Sequence, residues 1–105
     1  FLYHAPDRYF GAYYAIAPSF AGGDLAKSKT HFDASIAGSP GYLATKVLYA
    51  AHYATKQQDA SLYERLLNEV IASDPAAIPE LTPENTAEQA KAQKLLESKS
   101  DYFVD

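Results

Sequence analysis

The chain is punctuated at an even interval. Ser39-Pro40 and Asp74-Pro75 set two prolines 35 residues apart. Ahead of each lie two stretches of helical spacing joined by a short turn. A proline cannot continue a helical hydrogen-bond ladder, so each marks where one helix pair ends and the next element begins. No stretch alternates apolar and polar residues over a useful length, so strands are not expected.

The first predicted helix runs from about Asp7, a good N-cap, to Ala17. Tyr9, Tyr13 and Ile16 share one face, and Phe10, Tyr14 and Ala17 the adjoining one. Pro18 ends it, and residues 19–23 connect onward. The second helix spans about Asp24 to Ala37, with Leu25, Ser28, Phe32, Ser35 and Ile36 inside and Lys27, Lys29 and Asp33 outside. Gly38 is expected as its left-handed stop, followed by Ser39 and Pro40 as N-cap and N1 of the third helix.

That third helix, Pro40 to about Gln57, is apolar around more than half its circumference and must pack on two sides. The fourth carries a capping box, Ser61 with Glu64, and core positions Leu62, Tyr63, Leu66, Leu67, Val70 and Ile71. A linker punctuated by Pro75, Pro79 and Pro83 leads to a last helix with Thr82 as N-cap. Ala87, Ala90, Leu95 and Leu96 are expected inside, with Tyr102 and Phe103 folding back on it. The reading is one all-α domain over 1–105: a first helix pair at 7–40, a second at 41–75 and a capping helix at 82–103.

With 105 residues a core is within reach without crosslinks, and there are no cysteines to form any. Thiol catalysis, disulfides and cysteine-based zinc sites are thereby excluded, while the redox compartment stays open. Net charge is −4 with no basic stripe, which argues against nucleic acid. No apolar run approaches the roughly 20 residues that span a bilayer. The start on Phe1 rather than Met reads as a mature product or a fragment, and Phe1, Tyr3, Tyr9 and Phe10 as aromatics that cover an upstream part or self-associate.

Four of the five glycines fall within residues 22–41. A phosphate cradle would need a buried strand before the glycines and a Lys-Ser/Thr step after them. Here Lys27-Ser28 lies within a helix, no strand precedes it, and Asp24 would repel an anion. Gly22-Gly23 is therefore read as the turn inside the first helix pair. The 35-residue proline spacing is close to the roughly 34-residue period of tetratricopeptide (TPR) repeats. Eight positions before each proline stand Phe32 and Leu67, and Ala50, Ala51 and Ala54 fall at small-residue positions. Stacking of the pairs as a TPR-like right-handed superhelix of about five helices is expected.

The run Gly22-Gly23-Asp24-Leu25, His31-Phe32, Ser39-Pro40-Gly41-Tyr42-Leu43 and Val47 to Ala50 resembles the T component of TRAP transporters (TatT). Gln58-Asp59, Leu66-Leu67, Asp74-Pro75, Pro79-Glu80-Leu81, Asn85 and Leu95-Leu96 continue the resemblance over nearly the whole chain. Gln93-Lys94 departs from it, since the family often has an aromatic or arginine before the terminal double leucine. The resemblance implies a periplasmic, TPR-like lipoprotein, anchored through an upstream lipidated cysteine, of which this chain is the C-terminal part. It implies work beside the solute-binding P component of an uptake system, and a channel or cavity suited to a hydrophobic or organic-acid ligand.

No catalytic constellation is visible. His4, His31 and His52 lack metal-ligand spacing, no GxSxG elbow is present, and Asp101 and Asp105 look solvated. No cofactor is expected. The tyrosines Tyr42, Tyr49 and Tyr53 read either as interhelical packing or as part of a groove. In TPR arrays the first helix of each pair lines the concave side. That places Thr45, Leu48 and His52 toward the groove, flanked by Tyr49, with Tyr13 and Tyr14 on the matching helix. These six are the candidate ligand- or partner-binding residues. Two functions are open: an accessory binding component of periplasmic solute uptake, with homo-oligomerisation also open, or a general TPR scaffold that clasps a peptide of a partner. Transporter genes next door would favour the first.

Overall fold

The computed structural model describes residues 3–104 and is all helical there. Phe1 and Asp105, named in the sequence reading, lie outside the described residues. Five helices carry the fold: α1 (Ala5–Ile16), α2 (Leu25–Gly38), α3 (44–57), α4 (Ala60–Ala72) and α5 (Thr82–Glu97). Short 3-10 turns at Ser19–Ala21, Pro79–Leu81 and Lys99–Asp101 join or follow them. α3 is the hub and touches all four others, with the α1–α2 hairpin on one side and the α4–α5 hairpin on the other. The molecule is a slab of 41 × 33 × 17 Å, thin enough for two layers of helices.

α1 begins earlier than expected. His4, in a left-handed conformation, holds the N-cap position, and Asp7 pairs with His31 at 2.9 Å instead of capping. Only Gly11 and Ala15 of this helix are buried. Small residues let α2 come close, and Ser28 Oγ donates to the Gly11 carbonyl at 2.6 Å. The large residues of α1 therefore point elsewhere. The turn to α2 behaves as the glycines imply. Gly22 sits at φ 96°, and a Cβ on Gly23 would collide with the Ala17 carbonyl oxygen at 1.8 Å. Asp24 caps α2 by accepting from the Lys27 amide at 3.1 Å.

Gly38 is not the left-handed stop that its position suggested. It is the last helical residue, and Gly22 is the one glycine with positive φ among the described residues. Its need is steric: an added Cβ would lie 2.1 Å from the His4 ring. Ser39 and Pro40 do not start α3 either. Ser39 Oγ bonds His4 Nδ1 at 2.9 Å, and helix resumes only at Ala44. The loop between is held by buried Asn85 of α5, which accepts from the Leu43 amide at 3.2 Å and donates to the Gly41 carbonyl at 3.0 Å.

α3 contains a feature that periodicity did not reveal. Ala44–Leu48 is α-helical, Tyr49–Ala54 is π-helical and Thr55–Gln57 is α-helical again. Wider π turns change which residues share a face, and they recur at functional sites. Here Tyr49, Ala50, Tyr53 and Ala54 are all buried. Gln58 then ends the helix at φ 57°. The Asp59 amide reaches the Ala54 carbonyl at 2.9 Å and the Gln58 amide the Thr55 carbonyl at 3.1 Å, a Schellman-type end with glutamine where glycine is usual.

α4 is capped by Asp59, which accepts from the Leu62 amide at 3.0 Å, so Ser61 is not the cap. Its core is Tyr63, Leu66, Leu67 and Val70, while Ile71 faces outward. Tyr63 donates to the Leu95 carbonyl at 2.6 Å, and burial pushes its phenol up to about 12. α5 starts one residue earlier than expected, with Leu81 in the N-cap position. It buries Asn85 and Ala92 rather than Ala87 and Ala90, which are exposed. The reason is hydrogen bonding. Asn85 and Gln89 on that face reach carbonyls at the ends of other elements, Gln89 taking Val70 and Ser73 at 3.1 and 2.8 Å.

Candidate binding surface

Because α1 buries its small residues, its large ones form an outward strip. Tyr9 is 65% exposed, Ile16 58% and Phe20 92%. Tyr9, Ala12, Tyr13, Ile16 and Ala17 line an open groove of about 310 Å³. Ile16 also lines a second groove of about 330 Å³, with Ala15 and with Ala51, His52, Thr55 and Lys56 of α3. The two grooves adjoin at Ile16, beside the α1–α3 seam. Lys56 fixes that seam by donating to the Ala15 carbonyl at 2.7 Å, where its charge complements the negative end of the α1 dipole.

The six candidate residues divide between this surface and the core. Tyr13 and His52 line the grooves; the Tyr13 hydroxyl donates to the Ala21 carbonyl at 2.9 Å, so its ring is held in place. Leu48 is half-buried against the core, one turn before His52. Tyr14 belongs to a neighbouring aromatic group. Its ring stacks on His31 at 5.7 Å, and the Lys27 ammonium lies 5.5 Å from it.

Thr45 and Tyr49 are buried. Thr45 shares a hydrogen bond with Ser35 at 3.2 Å. Tyr49 stacks on Phe32 at 4.9 Å and donates to Asp33 at 2.9 Å. Burial first, and that bond second, push its phenol well above the usual value. Ile16 and Lys56 lie on the surface without having been singled out, and Tyr9 was singled out only as an aromatic that covers an upstream part or self-associates. Periodicity groups Tyr9 and Ile16 with Tyr13, but it does not say which face of a helix is covered.

The surface is mostly apolar, with the half-buried His52 ring as its titratable group and the Lys56 ammonium already engaged by carbonyls. Burial lowers the His52 pKa below its ordinary value, so the neutral ring is favoured. Among the described residues no group of acidic and histidine side chains could hold a metal ion, and no helix is long and apolar enough to cross a membrane.

A model of the protein family described as TAtT, TRAP transporter T-component, matches residues 1–103. The chain belongs to the TRAP transporter T-component family. It is therefore an accessory component of a TRAP transporter, and the family is not a known enzyme family. No curated protein matches the chain.

Proposed function

We propose that this T component is a non-catalytic binding element that docks the solute-binding P component and takes up a small hydrophobic or organic-acid ligand, using the α1–α3 surface. The supporting observation is the groove lined by Tyr9, Tyr13 and Ile16 and, adjoining it at Ile16, the groove lined by His52. Aromatic residues with polar tips favour protein contacts, and an apolar groove beside one that carries the polar groups of His52, Thr55 and Lys56 suits an amphipathic ligand. In this reading the protein works in the periplasm, held at the membrane by a lipid anchor in an upstream part. Size-exclusion chromatography of the full-length protein with its neighbouring P component tests the docking. Co-elution is expected, and separate elution at tens of micromolar overturns it. Mass spectrometry of small molecules extracted from natively purified protein tests the ligand, with an amphipathic acid or apolar molecule expected.

A further inference from the structure

A second arrangement of interest lies where α3 ends, just beyond Thr55 and Lys56 of the groove. Gln58 holds a left-handed backbone conformation that side chains other than glycine rarely adopt. Its side chain has a use there. The amide nitrogen donates to its own Thr55 carbonyl at 2.7 Å and to the Tyr102 carbonyl at 2.8 Å. The amide oxygen accepts from the Val104 amide at 3.1 Å. These partners fix which end of the amide is which. One side-chain amide thus grips the two peptide groups on either side of Phe103.

Phe103 itself packs edge-on to the Tyr63 ring at 4.9 Å, and the Tyr63 hydroxyl is tied to the Leu95 carbonyl. The seat is therefore rigid: a Schellman-type helix end positions Gln58, and the α4–α5 contact positions Tyr63. Its occupant is held lightly by comparison. Tyr102 is exposed, Val104 is 86% exposed, and the bonds to Gln58 are open to water. Segments with few buried contacts and exposed hydrogen bonds open at low free-energy cost. The recognition uses main-chain groups and one aromatic ring, and no charged pair with residues 102–104 contributes among the described contacts.

We propose that Gln58 and Tyr63 form a peptide-binding seat that residues 102–104 occupy in cis, and that it accepts in trans a partner segment carrying an aromatic residue between two free peptide groups. The inference does not depend on docking at α1, because Gln58 and Tyr63 do not line the α1–α3 grooves; the neighbouring Thr55 borders both places, lining a groove and accepting from Gln58. Occupancy in cis lowers the apparent affinity for a competitor by the fraction of time that the seat is open. Weakening the resident segment therefore strengthens binding in trans.

The probe is a fluorescein-labelled, end-blocked peptide of residues 98–104, which includes the turn that presents Phe103. Fluorescence anisotropy is read against the 105-residue chain, its Phe103→Ala variant, and the Phe103→Ala, Gln58→Gly double variant. Glycine suits the left-handed position, so the double variant keeps its helix end. Circular dichroism melts check that all three fold. Phe103→Ala is expected to bind the peptide about tenfold or more tightly than the unmodified chain. The double variant is expected to lose that gain, and a peptide with alanine at the Phe103 position to bind neither. Absence of binding to folded Phe103→Ala at millimolar peptide overturns the proposal, as does equal binding with and without Gln58.

Discussion

At the scale of single residues, Gly11 carries much of the α1–α2 contact. A Cβ there would lie 2.8 to 3.0 Å from three atoms of the Phe32 ring. The ring cannot swing aside freely, because its other face stacks on Tyr49. Gly11→Ala sets two effects against each other. Alanine improves helix propensity by up to about 1 kcal/mol. Overpacking a filled core costs about 1–3 kcal/mol. The second wins, and a net loss of about 1–2 kcal/mol is expected in urea unfolding. Trimming the ring with Phe32→Leu in the same chain should make the pair less costly than the sum of the single changes. Strict additivity would show that the two residues do not meet in the way described.

At the scale of elements, α3 is where burial and titration meet. His52 has its pKa lowered by burial, so the folded state binds a proton less readily than the unfolded chain. Stability from the neutral ring is full above the unfolded value, about 6.5. It falls as pH drops below that value, because the unfolded state takes up the proton first. His52→Gln should flatten the loss of stability between about pH 7 and pH 5 relative to the unmodified chain. Parallel pH profiles for the two chains would overturn this.

The elements also show what a sequence can and cannot disclose. The start of α2 near Asp24, Gly22-Gly23 as a turn and the buried set Phe32, Leu66, Leu67 and Val70 were legible, because local chemistry and period decide them. Gly38 and Ser39 were misread, because their roles depend on His4, 34 and 35 positions away. The π turns in α3 leave no periodic trace over six residues. Ala87 and Ala90 were placed inside because alanine is apolar, whereas Asn85 and Gln89 turn the polar side of α5 inward to satisfy carbonyls. Of the six candidate residues, Tyr13 and His52 line the grooves at positions that helical register picks out, while Leu48 packs against the core. Thr45 and Tyr49 share that register but meet α2 through Ser35, Phe32 and Asp33, which only the folded arrangement reveals.

At the scale of the whole molecule, the two ends of the slab are treated differently. At the α4–α5 end, residues 102–104 fold back over Tyr63. On the α1 side, Tyr9, Ile16 and Phe20 remain exposed next to the seam with α3. Their side chains contribute little to the core, so charging them should leave the fold intact. Tyr9→Glu with Ile16→Lys is the sharper test of the proposed docking surface. The double variant is expected to keep its melting temperature within a few degrees while co-elution with the P component is lost. A matched control, Glu97→Lys with Lys94→Glu on the exposed side of α5, should retain it. Surface charges away from an interface change affinity little, whereas a charge set into an apolar contact must be stripped of water without a partner. If the α1 variant still co-elutes and the α5 control does not, the slab meets its partner through the opposite end.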